Sequence, residues 1–387
     1  MSHSFARRGL VTVLGVALAL IAGLTPAATA DQTRAAPSAA AQCTTSDRYT
    51  MCTTDPRLHP DGKDLTIVEE FQRRIQATGT GARIQIAMYE WTLKRVADDL
   101  VAAKNRGVTV QVVIGRNDGD PTRNDEVIAI LRGGDIPVTQ CADACLPNRD
   151  GVKAGAMHNK FMLIEDAGVK TVVQTSTNLT VGQVQKFQNL VATEGDNGLF
   201  DYYRGYWNRM NIGSWTYDGV TWNNADRSRK GDHDLSKAYL LPVTAGDPIA
   251  AALNNVTECR ASNEDDRIWV SHSIFERPAV RERLIELHNM GCDVKVVVGS
   301  AEGEAWVEQT VPGKGKLSAS KVRSLPGNHN KFIVIDAKYA GQWRKVVFTG
   351  SHNISGNSLT NANDAMLRVI NSAVVNVYIH YFRDLYL

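Results

Sequence analysis

Past its first thirty residues, this chain has no apolar run long enough to span a bilayer, and it has almost no net charge. Its 43 Lys and Arg stand against 41 Asp and Glu, and setting aside the two arginines of that first segment, Arg7 and Arg8, brings the balance to zero. Proteins that grip a phosphate backbone carry a clear basic surplus, so a general nucleic-acid binder is disfavoured, although a balanced chain can hold a local basic pocket. No cysteine falls in a C-x-x-C pair or at finger spacing from a histidine, and no H-E-x-x-H occurs. What is present is ordinary globular composition, 43% hydrophobic and 22% charged over 387 residues, enough for two domains or one bilobal core.

The first thirty residues stand apart. Arg7 and Arg8 precede an apolar run from Leu10 to Leu24, and the segment ends in Ala28-Thr29-Ala30. This pattern predicts a secretory signal peptide over 1–30 and a secreted product. An uncleaved anchor is disfavoured because the run falls short of the roughly 20 residues a spanning helix needs. The arginine pair leaves twin-arginine export open. Residues 31–57 read as a loose leader. Six cysteines, Cys43, Cys52, Cys141, Cys145, Cys259 and Cys292, make an even count that suits disulfides in an oxidising compartment. Sequence neighbours pair most simply as 43–52, 141–145 and 259–292, with other connectivities open.

The tetrapeptide HNKF occurs twice, at His158–Phe161 and His329–Phe332. Before each copy lies the same pattern, in Gly81–Arg116 and Asp265–Ser300: an alternating strand, an amphipathic helix, a glycine, then a β-branched strand. Gly107 and Gly291 stand where a helix end wants a left-handed residue. Strand–helix–strand twice over predicts an α/β protein of two similar lobes formed by internal duplication, with mixed sheets flanked by helices. The lobes are placed at 58–210 and 238–387. A connector of 211–237 joins them, and its Trp215, Tyr217 and Trp222 either pack against the lobes or meet a lipid interface.

In each copy, the His and Lys are two residues apart on a strand, so His158 and Lys160, like His329 and Lys331, leave on one face. The apolar runs that follow indicate buried strands, where such groups are costly unless they line a cavity or meet an anion. A second strand then offers Ser176 and Asn178 in the first half, Ser351 and Asn353 in the second. Thr180 and Gln183 form a capping-box pattern. Lysines neutralise charge, amides donate, and a histidine attacks or transfers a proton, so this set suits a tetrahedral anion. His59, His233, His272, His288, His352 and His380 are expected to be structural or exposed.

H-x-K, four residues, an acid, then G/S-S/T-x-N resembles the signature of the phospholipase D superfamily, here in two copies covering most of the chain beyond residue 57. The resemblance implies one active site at the lobe interface, a phosphohistidine on one histidine, acid/base work by the other, and no metal or other cofactor. The motif acid is Glu165 in the first copy, where the family usually has Asp, and Asp336 in the second; the resemblance makes it an architectural partner. Family members also carry an acid downstream of Ser-x-Asn that bonds the motif histidine. Asp364 fills that position in the second half and is expected to bond His329, while Asn189 is expected opposite His158. Ser176, Ser351 and Asn189 are candidate substrate-binding residues. A carboxylate favours imidazolium and an amide the neutral ring, which makes His158 the nucleophile and His329 the acid/base.

The resemblance leaves several substrates open. A secreted phospholipase D releasing phosphatidate and a head group, with transfer to alcohols, comes first, with transient membrane-surface contact. A secreted metal-independent nuclease comes second; Arg227–Lys230 is the only short basic cluster. A cardiolipin-synthase-like transferase, a wall-polymer hydrolase and a non-catalytic phosphate binder follow. Two motifs in one chain remove the need for a dimer, so a monomer is expected.

Overall fold

In a computed structural model of the chain, residues 43–222, 227–232, 235–260 and 266–387 are described. The expected signal peptide, residues 31–42 of the expected leader and His233 lie outside them.

Each lobe is built on one mixed sheet, and the two sheets share an order. In lobe 1 the strands run Cys43–Ser46, Tyr49–Thr53, Asn189–Glu194, Val169–Thr175, Lys160–Asp166, Arg83–Met88, Thr109–Ile114 and Val138–Gln140. In lobe 2 they run Ser228–Lys230, Ser236–Leu240, Ala365–Val369, Gln342–Gly350, Lys331–Tyr339, Arg267–His272, Asp293–Val298 and Val322–Ser324. The duplication therefore extends to strand order and direction: Arg83–Met88 and Arg267–His272 each pair antiparallel with the motif strand and parallel with their other neighbour. Gly107 and Gly291 both take left-handed φ, +90° and +101°, as a helix end followed at once by a parallel strand requires.

Both sheets begin earlier than the sequence suggested. Cys43–Ser46 and Tyr49–Thr53 lie in the stretch expected to be leader, yet they form the edge of the first sheet and are tied by the Cys43–Cys52 disulfide. Ser228–Lys230 and Ser236 lie in the expected connector but belong to the second sheet. A short edge strand held by one neighbour has little hydrophobic period of its own to read. Cys141–Cys145 and Cys259–Cys292 complete the simplest pairing.

Three cores result. One lies under the outer helices of lobe 1 and one under those of lobe 2. The third is shared: inward-facing Phe161, Leu163 and Val172 of one sheet and Phe332, Val334 and Val347 of the other enclose two long helices, Asn197–Ile212 and Ser372–Tyr386. The repeated word accounts for this layer as well. Asn159 donates to the Tyr206 hydroxyl and Asn330 to that of Tyr381, each at 3.2 Å. Phe161 packs edge-on against Tyr203 and Phe332 against Tyr378. So the Asn and Phe of HNKF hold the inner helices, while the His and Lys are left for the seam. The connector aromatics pack inward: Trp222 stacks on Tyr202, and Trp215 is buried against Tyr206 and under the Arg227 guanidinium.

Candidate active site

The lobes meet through a pair of matched backbone clamps. The His158 amide donates to the Asn363 carbonyl of lobe 2 at 2.9 Å, and the His329 amide donates to the Phe187 carbonyl of lobe 1 at 3.0 Å. The residue after each clamping carbonyl then reaches the ring it has just fixed. Asp364 Oδ1 lies 2.9 Å from His158 Nδ1, and Gln188 Oε1 lies 3.0 Å from His329 Nδ1. The partners are thus exchanged between lobes.

This corrects the expected pairing. Asp364 serves His158, not His329, because each loop that follows Ser-x-Asn crosses the seam before it returns to its own sheet. Asn189 is one position off: Ser176 donates to Gln188 at 2.8 Å as Ser351 donates to Asp364 at 2.7 Å, and the next residue's amide bonds back to each serine at 3.0 Å. The first loop is one residue shorter, which hid the correspondence. Asn189 is instead a bolt across the seam, donating to Thr349 Oγ1 at 2.5 Å and accepting from the Lys331 amide at 3.2 Å. Ser176 and Ser351 are fully buried and turned to the histidine partners, so they orient those partners and do not line a substrate surface. Thr180 forms no side-chain cap, and only a short 3-10 turn follows it; Gln183 accepts from the Gln188 amide, which aims the Gln188 oxygen at His329.

Lys160 and Lys331 are completely buried. Their ammonium groups fold back to the carbonyls of His158 and His329, at 2.7 and 3.1 Å. Desolvation pushes Lys160 down to about 7, with Asp364 and Glu90 pulling the other way, and pushes Lys331 well below its usual range, helped by the charge of Lys160. Burial lowers His158, and Lys160 adds to this, while Asp364 opposes it. Burial, Lys331, Lys160, Lys186 and the neighbouring His158 hold His329 lower still. Asn363 and Asp364 of lobe 2 on His158, with Phe187 and Gln188 of lobe 1 on His329, bring both half-motifs to one seam. Asp364 is the carboxylate bonded to a motif histidine; burial opposes its ionisation, but His158, Lys160 and Ser351 hold it far below the usual range. Basic groups whose charged forms are so poorly compensated are matched to an incoming anion, which favours those charged forms.

Asn178 and Asn353 complete the set. Each has a buried Oδ1 without a partner among the described residues. Asn353 lines a cleft of about 470 Å³ with His158, Tyr89 and Asp118 of lobe 1 and Asp364, Ile274 and Glu276 of lobe 2. Glu165 and Asp336 are not in the site. They sit five residues along the motif strands from the lysines, roughly 17 Å at strand rise, where Glu165 pairs with Arg204 at 3.5 Å and Asp336 with Arg267 at 3.3 Å. A Glu in place of Asp there alters an ion pair at the far strand end, not the chemistry. Among the described residues no group of three or more His, Cys, Asp or Glu could hold a metal ion. His272 and His352 are buried against each other behind Lys331, ring centroids 5.2 Å apart.

The chain is thus a duplicated α/β frame in which two H-x-K strands meet at one seam. The family model described as "Cardiolipin synthase, PLD-like domain" matches residues 73–210 and again 259–386, and the chain belongs to this phospholipase D-like family. Members of the superfamily are phosphodiesterases and phosphotransferases. No curated protein sequence matches. Among solved structures, a phosphatidylserine synthase from Haemophilus influenzae aligns with a TM-score of 0.54 at 11% identity, over 86% of this chain and 85% of that one. A polyphosphate kinase from Porphyromonas gingivalis aligns with a TM-score of 0.56 at 12% identity, over 87% of this chain; the present chain spans 50% of its length. Nuc, a phospholipase D family member from Salmonella typhimurium, is 20% identical over 41% of this chain and 90% of its own, with a TM-score of 0.32. The likeness to the synthase and the kinase, at these identities, speaks to the fold alone.

Proposed function

We propose that this protein is a phosphodiesterase of phospholipase D type that hydrolyses glycerophospholipids to phosphatidate and a free head group, or passes the phosphatidyl group to an alcohol, through a phosphohistidine. The observation that carries the reading is the exchanged histidine pairing, which makes one site of two half-motifs. Asp364 accepts from His158 Nδ1–H and so leaves the Nε2 lone pair free. Nε2 attacks phosphorus while the bond to the departing oxygen breaks, and His329 gives that oxygen its proton. While it keeps its Nδ1 proton the N-phosphorylated ring is a cation, and the Asp364 carboxylate that accepts that proton's hydrogen bond stabilises it. His329 then takes a proton from water, which attacks phosphorus and breaks the P–N bond. Gln188 holds the His329 ring without a charge, so the imidazolium stays acidic enough to release its proton. The roles thus remain those expected from the sequence, but for the opposite reason: the carboxylate serves the nucleophile. Lys160, Lys331, Asn178 and Asn353 hold the non-bridging oxygens.

A net charge of only +2 over the chain and the carboxylates of Asp118 and Glu276 at the cleft favour a single phosphodiester over a polyanion. Three disulfides fit export. The purified protein is assayed with EDTA on phosphatidylcholine vesicles and on plasmid DNA, beside His158→Ala and His329→Ala. Choline release by the wild type, lost in both folded variants, is the expected result. DNA cleavage without choline release would replace the lipid by a nucleic acid, and unchanged rates in both variants would end the enzymatic reading.

A further inference from the structure

Beside His158, the cleft wall holds an aromatic ring that the chemistry above leaves without a role. Tyr89 follows the strand Arg83–Met88, whose last residue pairs with Lys160. Its ring centroid is 5.2 Å from that of the His158 imidazole, inclined by 57°, and Lys160 Nζ lies 5.4 Å from the same centroid. Space has been cleared for it: a Cβ on Gly115 would stand 2.7 Å from Tyr89 Cδ2 and 2.8 Å from the Met157 carbonyl oxygen. The corresponding place in lobe 2, after the His272–Lys331 pair, is Ser273, which has no ring to offer. The asymmetry sets the nucleophile's half of the site apart from the other half.

We propose that Tyr89 is a positioning residue for the nucleophilic half of the site, its ring fixing the plane of His158 and holding Lys160 as an ammonium against the phosphate oxygens. This rests on the phosphohistidine reading given above. An aromatic face attracts a cation, and does so most strongly where water is excluded. Lys160 is such a cation. It faces Glu90 and Asp364 as carboxylates, donates to the His158 carbonyl, and shares its surroundings with Lys331 and His329. Glu90 is already engaged by Arg123 at 3.2 Å and by Asn117. Burial outweighs the carboxylates and brings Lys160 down to about 7, so a ring contact that favours the ammonium bears directly on whether it keeps its proton near neutrality. The hydroxyl has no part in this, so Phe substitutes for Tyr and an aliphatic residue does not.

The test follows phosphoenzyme formation by rapid quench with a p-nitrophenyl phosphodiester, as a function of pH, in the wild type, Tyr89→Phe and Tyr89→Leu. Tyr89→Phe is expected to keep the burst rate within about twofold and the alkaline limb unmoved. Tyr89→Leu is expected to slow the burst about tenfold and to move the alkaline limb down by about one pH unit, the equivalent of one cation–ring contact. Hydrolysis of the phosphoenzyme, which turns on His329, is expected to change less. Circular dichroism and the thermal midpoint check that Tyr89→Leu folds, with Tyr89→Met as the second aliphatic variant. A uniform slowing with an unshifted limb, or a Phe variant as impaired as Leu, overturns the inference alone. No burst in the wild type overturns the phosphohistidine reading, and this inference with it.

Discussion

Replacing Asp364 by Asn removes one charge from the site and little else. The carboxylate is fully buried and accepts from His158 Nδ1 at 2.9 Å, Ser351 Oγ at 2.7 Å and Ser358 Oγ at 2.8 Å. An amide oxygen can still meet the ring, as Gln188 meets His329, so the geometry survives and the charge is what is lost. A hydrogen bond to a charged partner contributes about 1.5–3 kcal/mol, and about 1.4 kcal/mol is tenfold in rate. Phosphoenzyme formation should therefore slow by about tenfold to a hundredfold. The pH dependence carries a sign. Asp364 raises the His158 pKa against burial and Lys160, so without it the ring loses its proton at lower pH. The acidic limb of the burst profile should move down even as the plateau falls. Rapid-quench bursts across pH measure both. An unchanged burst would refute the exchanged pairing, as would a limb moving upward, or a defect confined to hydrolysis of the phosphoenzyme.

The converse change, Gln188→Glu, puts a carboxylate against His329 and raises its pKa; near neutrality water activation slows, and steady-state phosphoenzyme rises in acid-quench measurements. Four histidines, His272 and His352 buried and His158 and His329 half-buried at the seam, are lowered chiefly by desolvation, His352 to about 3. Their unfolded values near 6.5 lie above the folded ones, so the unfolded chain binds protons first. Stability is full above that pH and falls as pH drops toward the folded values, by about 1.4 kcal/mol per unit for each group. Urea titrations between neutrality and mild acid should show this, and His272→Met, which copies Met88 of lobe 1, should flatten the slope by one such increment. The Cys259–Cys292 bridge spans 33 positions, so its removal as Cys259→Ala with Cys292→Ala should cost about 4 kcal/mol in denaturant titration on a chain-entropy basis.

Much of this was legible in the sequence. The two-residue step from His to Lys fixes one strand face, and the β-branched runs fix the parallel neighbours. Gly107 and Gly291 declare their helix ends. Local period carries these features, and local period survives folding. The site's wiring does not lie in local order. Which loop serves which histidine depends on how two sheets dock through Asn363 and Phe187, 205 and 142 positions from the amides they accept from. Gln188 was missed because the loop after Ser176 is one residue shorter than that after Ser351. The sign that could have found it is the polar residue just before each returning strand, Gln188 before Asn189–Glu194 and Asp364 before Ala365–Val369. Tyr89 was passed over because its partners, His158 and Lys160, stand some seventy positions away. The early strands at 43–53 were hidden by brevity and by a disulfide that does work an apolar face would otherwise do.

Locating the covalent adduct addresses the whole scheme at once. Wild-type protein quenched during the burst, digested under conditions that spare the P–N bond and read by mass spectrometry, should carry the adduct on the peptide containing His158. In Asp364→Asn the same peptide should be labelled more slowly. An adduct on His329, or turnover with none on either histidine, would contradict the assignment of the carboxylate-backed ring as the nucleophile.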